Sequence, residues 1–313
     1  MASDGILGSW ARALRAANRS PATISSYLSD CGALEAWLAE RGTDLLDATR
    51  DDIRAYLESL LDAGKAPATA ARRYRSYVQF YKWAHSEDEI ATNPMLKVSP
   101  PKVTADPPPI IRDPEMNKLL EVCRRNAQPR PPRGVEGETE AGARRRKFEG
   151  VRDLAMILVL ASTGIRAGEL MGIRVGDVNL EYETVSVSGK TGRRNVPLLP
   201  KVITEVEKYL RARRRHPQGA HTDALWIGDR GALSDSGLRQ MLDRRCDEAG
   251  IGHINPHRFR HTFAHLAKSR GVSDDALMAV AGWKSPQMLA RYAASAAEER
   301  GNAAIRKAFG GDF

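Results

Sequence analysis

Residues 254–265 read Ile254-Asn255-Pro256-His257-Arg258-Phe259-Arg260-His261-Thr262-Phe263-Ala264-His265, INPHRFRHTFAH in one-letter form. Asn255 followed by Pro256 marks a helix start: an N-cap side chain that takes up free backbone N–H groups, then a proline whose missing N–H is not needed in the first turn. His257, Arg260 and His261 follow at spacings of three and four, so they share one face of that helix. A helix N-terminus offers unpaired N–H groups and the positive pole of the helix dipole, and a guanidinium beside them strengthens the attraction for an anion such as phosphate.

The same stretch places His257, His261 and His265 at i, i+4 and i+8, a spacing that also permits a metal-binding face. A zinc-hydrolase helix carries a glutamate within its HxxxH unit, whereas here Arg258 and Arg260 would repel a cation. For His261 and His265 a structural reading, with the ring satisfied inside the core, stands beside the functional one.

Working outward, TGIRAGEL (163–170) holds a Thr-Gly turn that delivers Arg166 to the start of a short helix, with Glu169 one turn further on and able to orient it. Downstream, AGWKSPQMLARYA (281–293) ends one helix at Gly282-Trp283 and starts another at Ser285-Pro286, with Tyr292 nine residues after the tryptophan. Between the two the period changes. Residues 184–187 alternate, SGKTGRRN (188–195) supplies turn chemistry with Lys190 at its tip, and VPLL (196–199) returns as a strand. A small antiparallel sheet is therefore expected inside a helical domain.

The N-terminal part reads as all helix. Ser20-Pro21 opens a helix with Ile24, Tyr27, Leu28, Leu34 and Leu38 on one side, closed by Gly42. Thr49 and Asp52 form a capping-box pair before IRAYLESLLDAG, and Pro67 opens a third long helix. In that third helix Tyr74, Val78, Tyr81 and Trp83 supply apolar and aromatic contacts, while Arg72, Arg73, Arg75 and Lys82 make it basic, which suits either a solvated face or a phosphate-contacting one. Residues 93–115 are too rich in proline for a helix or central strand to persist, and mark a domain boundary. Helical PEMNKLLEVCRRNA (114–127) follows, then a polar, Gly- and Pro-rich segment, 128–150, expected to be a mobile loop. Helix VRDLAMILVLAST (151–163) leads into the Gly164 turn.

A chain of 313 residues is long enough for two domains. Its formal net charge of +9, concentrated in ARRYR (71–75), ARRRK (143–147) and RARRR (211–215), favours a polyanionic partner, nucleic acid first. Cys31, Cys123 and Cys246 form no CxxC pair, which argues against a disulfide framework or a cysteine-built zinc site. No N-terminal apolar segment or bilayer-length run is present, so a cytoplasmic protein with no membrane partner is expected.

Taken together and in this order, TGxRxxEL, a lysine in the hairpin turn, HxxRH, GW and a tyrosine resemble the tyrosine recombinase (phage integrase) family, over almost the whole chain. The resemblance implies a mainly α protein, a two-domain clamp. Residues 1–95 would be an all-helical core DNA-binding domain, 96–112 a proline-rich linker, and 113–313 an α+β catalytic domain carrying a small antiparallel sheet. It implies Arg166, Lys190, His257, Arg260, Trp283 and Tyr292 as the active-site set, with tryptophan at 283 where most members have histidine; the basic Arg72, Arg73, Arg75 and Lys82 of the third helix are the candidate DNA contacts. The implied partners are double-stranded DNA with inverted core sites, a homotetramer on two duplexes, and an accessory DNA-bending or directionality factor; no cofactor or metal is implied. The helix after the tyrosine would dock into a neighbour through Ile305 and Phe309.

The chemistry expected of such a set is phosphoryl transfer. Two guanidiniums can grip the non-bridging oxygens of a phosphodiester as charge builds on phosphorus, in a bidentate manner that lysine cannot copy. A phenol of pKa ~10 needs help to ionise at neutral pH, for which His257 is the natural base; Lys190 is the natural acid for the departing 5′-oxygen. The role expected is integration or excision of a phage or mobile element, with a Xer-type chromosome-dimer resolvase, a type IB topoisomerase and a catalytically silent DNA-binding regulator as alternatives.

Overall fold

The computed structural model describes residues 5–103, 109–129, 137–189 and 192–283, together with 289, 301, 302, 304–306 and 309. The chain divides into two compact units, Met1–Ala105 and Asp106–Phe313. Among the described residues no helix is long and apolar enough to cross a membrane.

Among its described residues the first unit is built from the α-helices α1 (Ile6–Ala16), α2 (Pro21–Ala39), α3 (Arg50–Asp62) and α4 (Pro67–Ser86). Local chemistry sets their starts. Ser20 Oγ accepts the Thr23 N–H at 3.2 Å ahead of Pro21, and Thr49 and Asp52 exchange hydrogen bonds in a capping box. The α4 stripe that reaches the core is Tyr77, Phe80, Tyr81 and Ala84, with Tyr74, Val78 and Trp83 only partly covered. These side chains close on Trp10 of α1, Leu34 and Leu38 of α2 and Ile53 of α3, all essentially without exposure. Each such burial is worth ~1.5–3 kcal/mol, which is what holds a bundle of individually marginal helices together. A short 3₁₀ turn at Pro94–Lys97, capped by Asn93, carries Met95 into the same core, and Val98 follows it.

The second unit is organised around one long helix. After α5 (Asp113–Asn126), α6 runs over Glu140–Thr163. The expectation of a mobile loop through residue 150 is therefore corrected: its last eleven residues are helix. Thr139 caps the start by accepting the Gly142 N–H at 3.1 Å. Arg146 then anchors the new turns. Its guanidinium is paired with both oxygens of Glu138, at 2.8 and 3.1 Å, and donates to the carbonyls of Asn126 (2.8 Å) and Gln128 (3.0 Å) at the end of α5. Phe148 packs its ring on His216 at 4.2 Å between centroids. Arg146 is thus a partly buried anchor between α5 and α6 rather than part of a basic loop.

The remainder of α6 buries Leu154, Ala155, Met156, Ile157, Val159 and Leu160 against α5, α8 (Pro200–Arg214) and α10 (Pro256–Ser269). Before α8 come the short helix α7 (Ala167–Met171) and the expected antiparallel sheet, β1 (Val178–Asn179), β2 (Thr184–Gly189) and β3 (Gly192–Pro197), in that spatial order. The β2–β3 register pairs Val185 with Val196, Val187 with Arg194 and Gly189 with Gly192. A second two-stranded ribbon, β4 (Ile227–Gly228) with β5 (Gly231–Ala232), precedes α9 (Asp235–Ala249); α11 (Asp274–Ala281) follows α10.

Cys31 in the first unit and Cys123 and Cys246 in the second are all buried thiols. Burial pushes their pKa values up, that of Cys123 to about 12.

Candidate active site

Arg166 is delivered by the end of α6. Gly164 closes that helix in the left-handed conformation (φ 60°, ψ 20°), and a Cβ added there would lie 2.4 Å from Cδ1 of Phe263, so only glycine both adopts the turn and lets α10 approach. Arg166 becomes the N-cap of α7, where its N–H donates to Glu169 Oε2 (2.8 Å) and its Nη1 to Glu169 Oε1 (3.0 Å). Its Nη2 donates to the Gly282 carbonyl at 3.3 Å.

Arg260 and His257 come from the first turns of α10. Asn255 Oδ1 accepts the N–H groups of His257 (3.0 Å) and Arg258 (3.1 Å), the cap read in the sequence. Arg260 is only 2 % exposed. Its Nη1 donates to the Gly164 carbonyl (2.8 Å), its Nη2 to the Ala281 carbonyl (2.7 Å), and its guanidinium carbon lies 4.6 Å from the Trp283 ring centroid. His257 is exposed at the rim, with its ring edge-on to His261 at 4.3 Å. Partial desolvation, then the positive charges of Arg260 and Arg166, depress its pKa below the ordinary histidine value, so the imidazole is neutral at pH 7.

The last carbonyls of α11 are the meeting point. Gly282 ends that helix in the left-handed region (φ 65°), Trp283 N–H turns back to the Met278 carbonyl at 3.0 Å, and Trp283 buries its ring with Ala264, Leu277, Ala281 and Leu289. Arg166, His257 and Arg260 line one open cleft of about 660 Å³, together with Asn255, Arg239 and His253. A cleft of about 840 Å³ in the first unit is larger, but its lining sets Asp44, Asp47, Asp51 and Glu89 against Arg50 and Lys97, an acidic balance that does not suit a phosphate. Among the described residues no three His, Cys, Asp or Glu side chains are grouped to hold a metal ion.

Of the six residues expected in the site, four are described: Arg166, His257 and Arg260 face the cleft and Trp283 packs behind it. Lys190 and Tyr292 lie outside the described residues. In the first unit the four basic residues of α4 differ in their surroundings. Arg72 donates to the buried Asp30 and to Ser26 Oγ (3.1 Å), and Arg73 donates to the Tyr56 hydroxyl and is mostly covered. Arg75 and Lys82 are exposed.

One residue of the site is absent from the sequence reading: Arg194. On β3 it stands two residues before Val196, on the face that β2 buries with Val187, and an arginine on a buried strand face demands a carboxylate. That signal was available, and the partner is Glu169, which Arg194 grips through two hydrogen bonds of 2.9 Å.

Residues 140–299 match the phage integrase family, and residues 7–88 match the phage integrase N-terminal SAM-like domain. Tyrosine recombinase XerC of Herpetosiphon aurantiacus is 30 % identical over 253 residues, covering 80 % of this chain and 76 % of that protein. Tyrosine recombinase XerD of Shewanella oneidensis is 30 % identical over 252 residues, covering 78 % and 76 %. Among solved structures, XerH site-specific recombinase bound to palindromic difH substrate, a post-cleavage complex, superimposes with a TM-score of 0.72 at 19 % identity, over 97 % of this chain and 84 % of that one. A lambda integrase (75–356) dimer bound to a COC′ core site gives a TM-score of 0.67 at 20 % identity, over 94 % and 95 %.

Proposed function

The chain belongs to the phage integrase family of tyrosine recombinases, enzymes that break and rejoin DNA, and from that premise we propose that it exchanges strands at a specific DNA site through a 3′-phosphotyrosyl intermediate. The observation that carries the reading is the convergence of Arg166 and Arg260 on the successive carbonyls Gly282 and Ala281, beside His257, in one open cleft. Two fixed guanidiniums side by side form a clamp for the non-bridging oxygens of a scissile phosphate, and they gain strength as charge builds in the transition state.

In this mechanism the Tyr292 oxygen attacks phosphorus, the bond to the 5′-oxygen breaks, and the phosphodiester energy is retained in the new phosphotyrosyl ester. His257, kept neutral by desolvation and by the two cations, accepts the phenolic proton. Lys190 supplies a proton to the leaving 5′-oxygen. Trp283 backs Arg260 with its ring, which fixes the guanidinium plane. A 5′-hydroxyl from a second duplex then reverses the chemistry onto a new partner. The test is Tyr292→Phe on a nicked suicide substrate: DNA binding persists and the covalent adduct disappears. An adduct formed by the variant refutes the reading.

Assembly follows from an apolar groove of about 810 Å³ in the second unit, lined by Leu158, Phe263, Leu266, Val272, Leu277 and Val280 among others. Ile305 and Phe309, four residues apart and exposed, match its chemistry. We assign the groove to the C-terminal segment of a neighbouring copy, within a tetramer on two duplexes. The lambda integrase tetramer bound to a Holliday junction, a fold neighbour at 20 % identity, is consistent with such an assembly.

For the biological role, integration or excision of a mobile element is one reading. The relatives named XerC and XerD favour the other, a chromosome-dimer resolvase. Disruption in the source cell separates them: accumulation of unresolved chromosome dimers supports the resolvase, and an element that no longer moves supports the integrase.

A further inference from the structure

Arg194 links the Glu169 carboxylate to the end of α11. Its guanidinium grips the Glu169 carboxylate through Nη1 to Oε1 and Nη2 to Oε2, both at 2.9 Å. The same two oxygens hold Arg166, through its backbone N–H and its Nη1. The other edge of Arg194 reaches the end of α11, where Nε donates to the Val280 carbonyl at 2.8 Å and Nη2 to the Ala281 carbonyl at 3.5 Å. Those carbonyls directly precede the one that Arg166 uses, and Ala281 is also the acceptor for Arg260.

The pair is closely packed. Glu169 is 3 % exposed, and its Oε1 sits where a Cβ on Gly189 would be only 2.7 Å away. The carboxylate therefore rests on the bare backbone at the end of β2, one residue before Lys190. Burial alone raises the carboxyl pKa; the hydrogen bonds from Arg194, with those from Arg166, outweigh it and hold the group ionised. The Arg194 side chain is 14 % exposed, so its charge faces carboxylate and carbonyls rather than solvent.

We infer that Arg194 is a positioning residue for phosphoryl transfer, which acts through Glu169 and the α11 terminus to aim Arg166 at the scissile phosphate and to tie the turn end of the β2–β3 hairpin to that aim. This rests on the tyrosine recombinase reading of Arg166. The geometric demand is severe, because a displacement of about 1 Å in a catalytic group can cost on the order of 100-fold in rate.

The experiment uses full-length Arg194→Lys and Arg194→Ala, with Glu169→Gln as companion. DNA affinity, the melting temperature of the second unit and single-turnover adduct formation on a nicked suicide duplex are measured. Lysine keeps the charge but not the two-pronged grip. Adduct formation should slow about 100-fold at unchanged affinity in Arg194→Lys and Arg194→Ala. A second substrate carries a methylphosphonate at the scissile position, in the isomer that removes the charged oxygen facing Arg166. There the defect should shrink to about threefold, because no charge remains for Arg166 to hold.

A lysine variant as fast as wild type overturns the inference. So does a defect of equal size on both substrates, which would mean that Arg194 acts on folding alone. If Arg194→Ala fails to fold, the lysine variant decides. A wild-type chain that forms no adduct on any substrate would instead count against the underlying enzyme reading.

Discussion

Gly164 and Phe263 meet so closely that a Cβ on the glycine would fall 2.4 Å from the phenylalanine Cδ1 and 2.8 Å from its Cγ. The contact fixes the crossing of α6 and α10 at the point where the Gly164 carbonyl receives Arg260. Alanine at 164 must both hold a positive φ and push the ring aside. The second unit of Gly164→Ala should lose about 2–4 kcal/mol, seen as an earlier urea transition, while the transition of the first unit stays in place.

Arg260 joins two carbonyls from different helices, and its loss removes a donor from the Gly164 carbonyl and leaves the Ala281 carbonyl only its long contact with Arg194. Arg260→Ala should reduce single-turnover cleavage by about 100- to 1000-fold, the usual range for removing one donor to transition-state charge. Arg260→Lys should recover little of this, since one ammonium cannot serve the Gly164 and Ala281 carbonyls and a phosphate in a fixed fork. Rapid-quench measurement of adduct formation distinguishes the two.

The depressed pKa of His257 gives a signed pH dependence. With a folded value below the ordinary ~6.5, the neutral base predominates at pH 7 and is lost as pH falls through the depressed value. Cleavage should therefore fall on acidification at a lower pH than an ordinary histidine would give, and drop about tenfold per unit well below the folded pKa. The contribution of the Arg260 charge can be checked by NMR titration of the histidine ring: Arg260→Ala should move the midpoint upward, toward the ordinary value. A midpoint that moves downward contradicts the assignment of charge.

The basic residues of α4 should separate into two kinds. Exposed Arg75 and Lys82, if they touch phosphate, should each lower the salt dependence of DNA binding by about one unit of slope on substitution by alanine. Arg73, covered and bound to the Tyr56 hydroxyl, should instead cost stability of the first unit. Asp30→Asn should cost that unit about 2 kcal/mol, because the 2 % exposed carboxylate is the shared acceptor for Arg72 and Ser76. Binding measured over a salt series, beside thermal melts, reads both effects.

Helix starts were the most legible part of this chain, since Ser20, Thr49 and Asn255 act on backbone groups two or three residues away. The β2–β3 hairpin was legible for the same reason, through alternation and turn residues. The first turns of α6 were not. Arg146 is held there by the Asn126 carbonyl, twenty residues upstream, and Phe148 by Tyr209 and His216, and a window that sees only glycine, proline and charge contains none of these partners. In the site, Arg166, Arg260, His257 and Trp283 could be named from motif order because each stands at a helix end with its own local signal. Arg194 stands mid-strand, 25 residues from Glu169, and its importance resides in a contact rather than in a motif.

The three covered thiols give the protein a set of built-in reporters. A thiol held as the protonated form does not react with alkylating reagents until the surrounding side chains part. Cys31 therefore records opening of the first unit, and Cys123 with Cys246 that of the second. Mass spectrometry of a chain labelled during a heat or denaturant pulse would count one adduct or two, and so state which half of the protein yields first, without a single engineered probe.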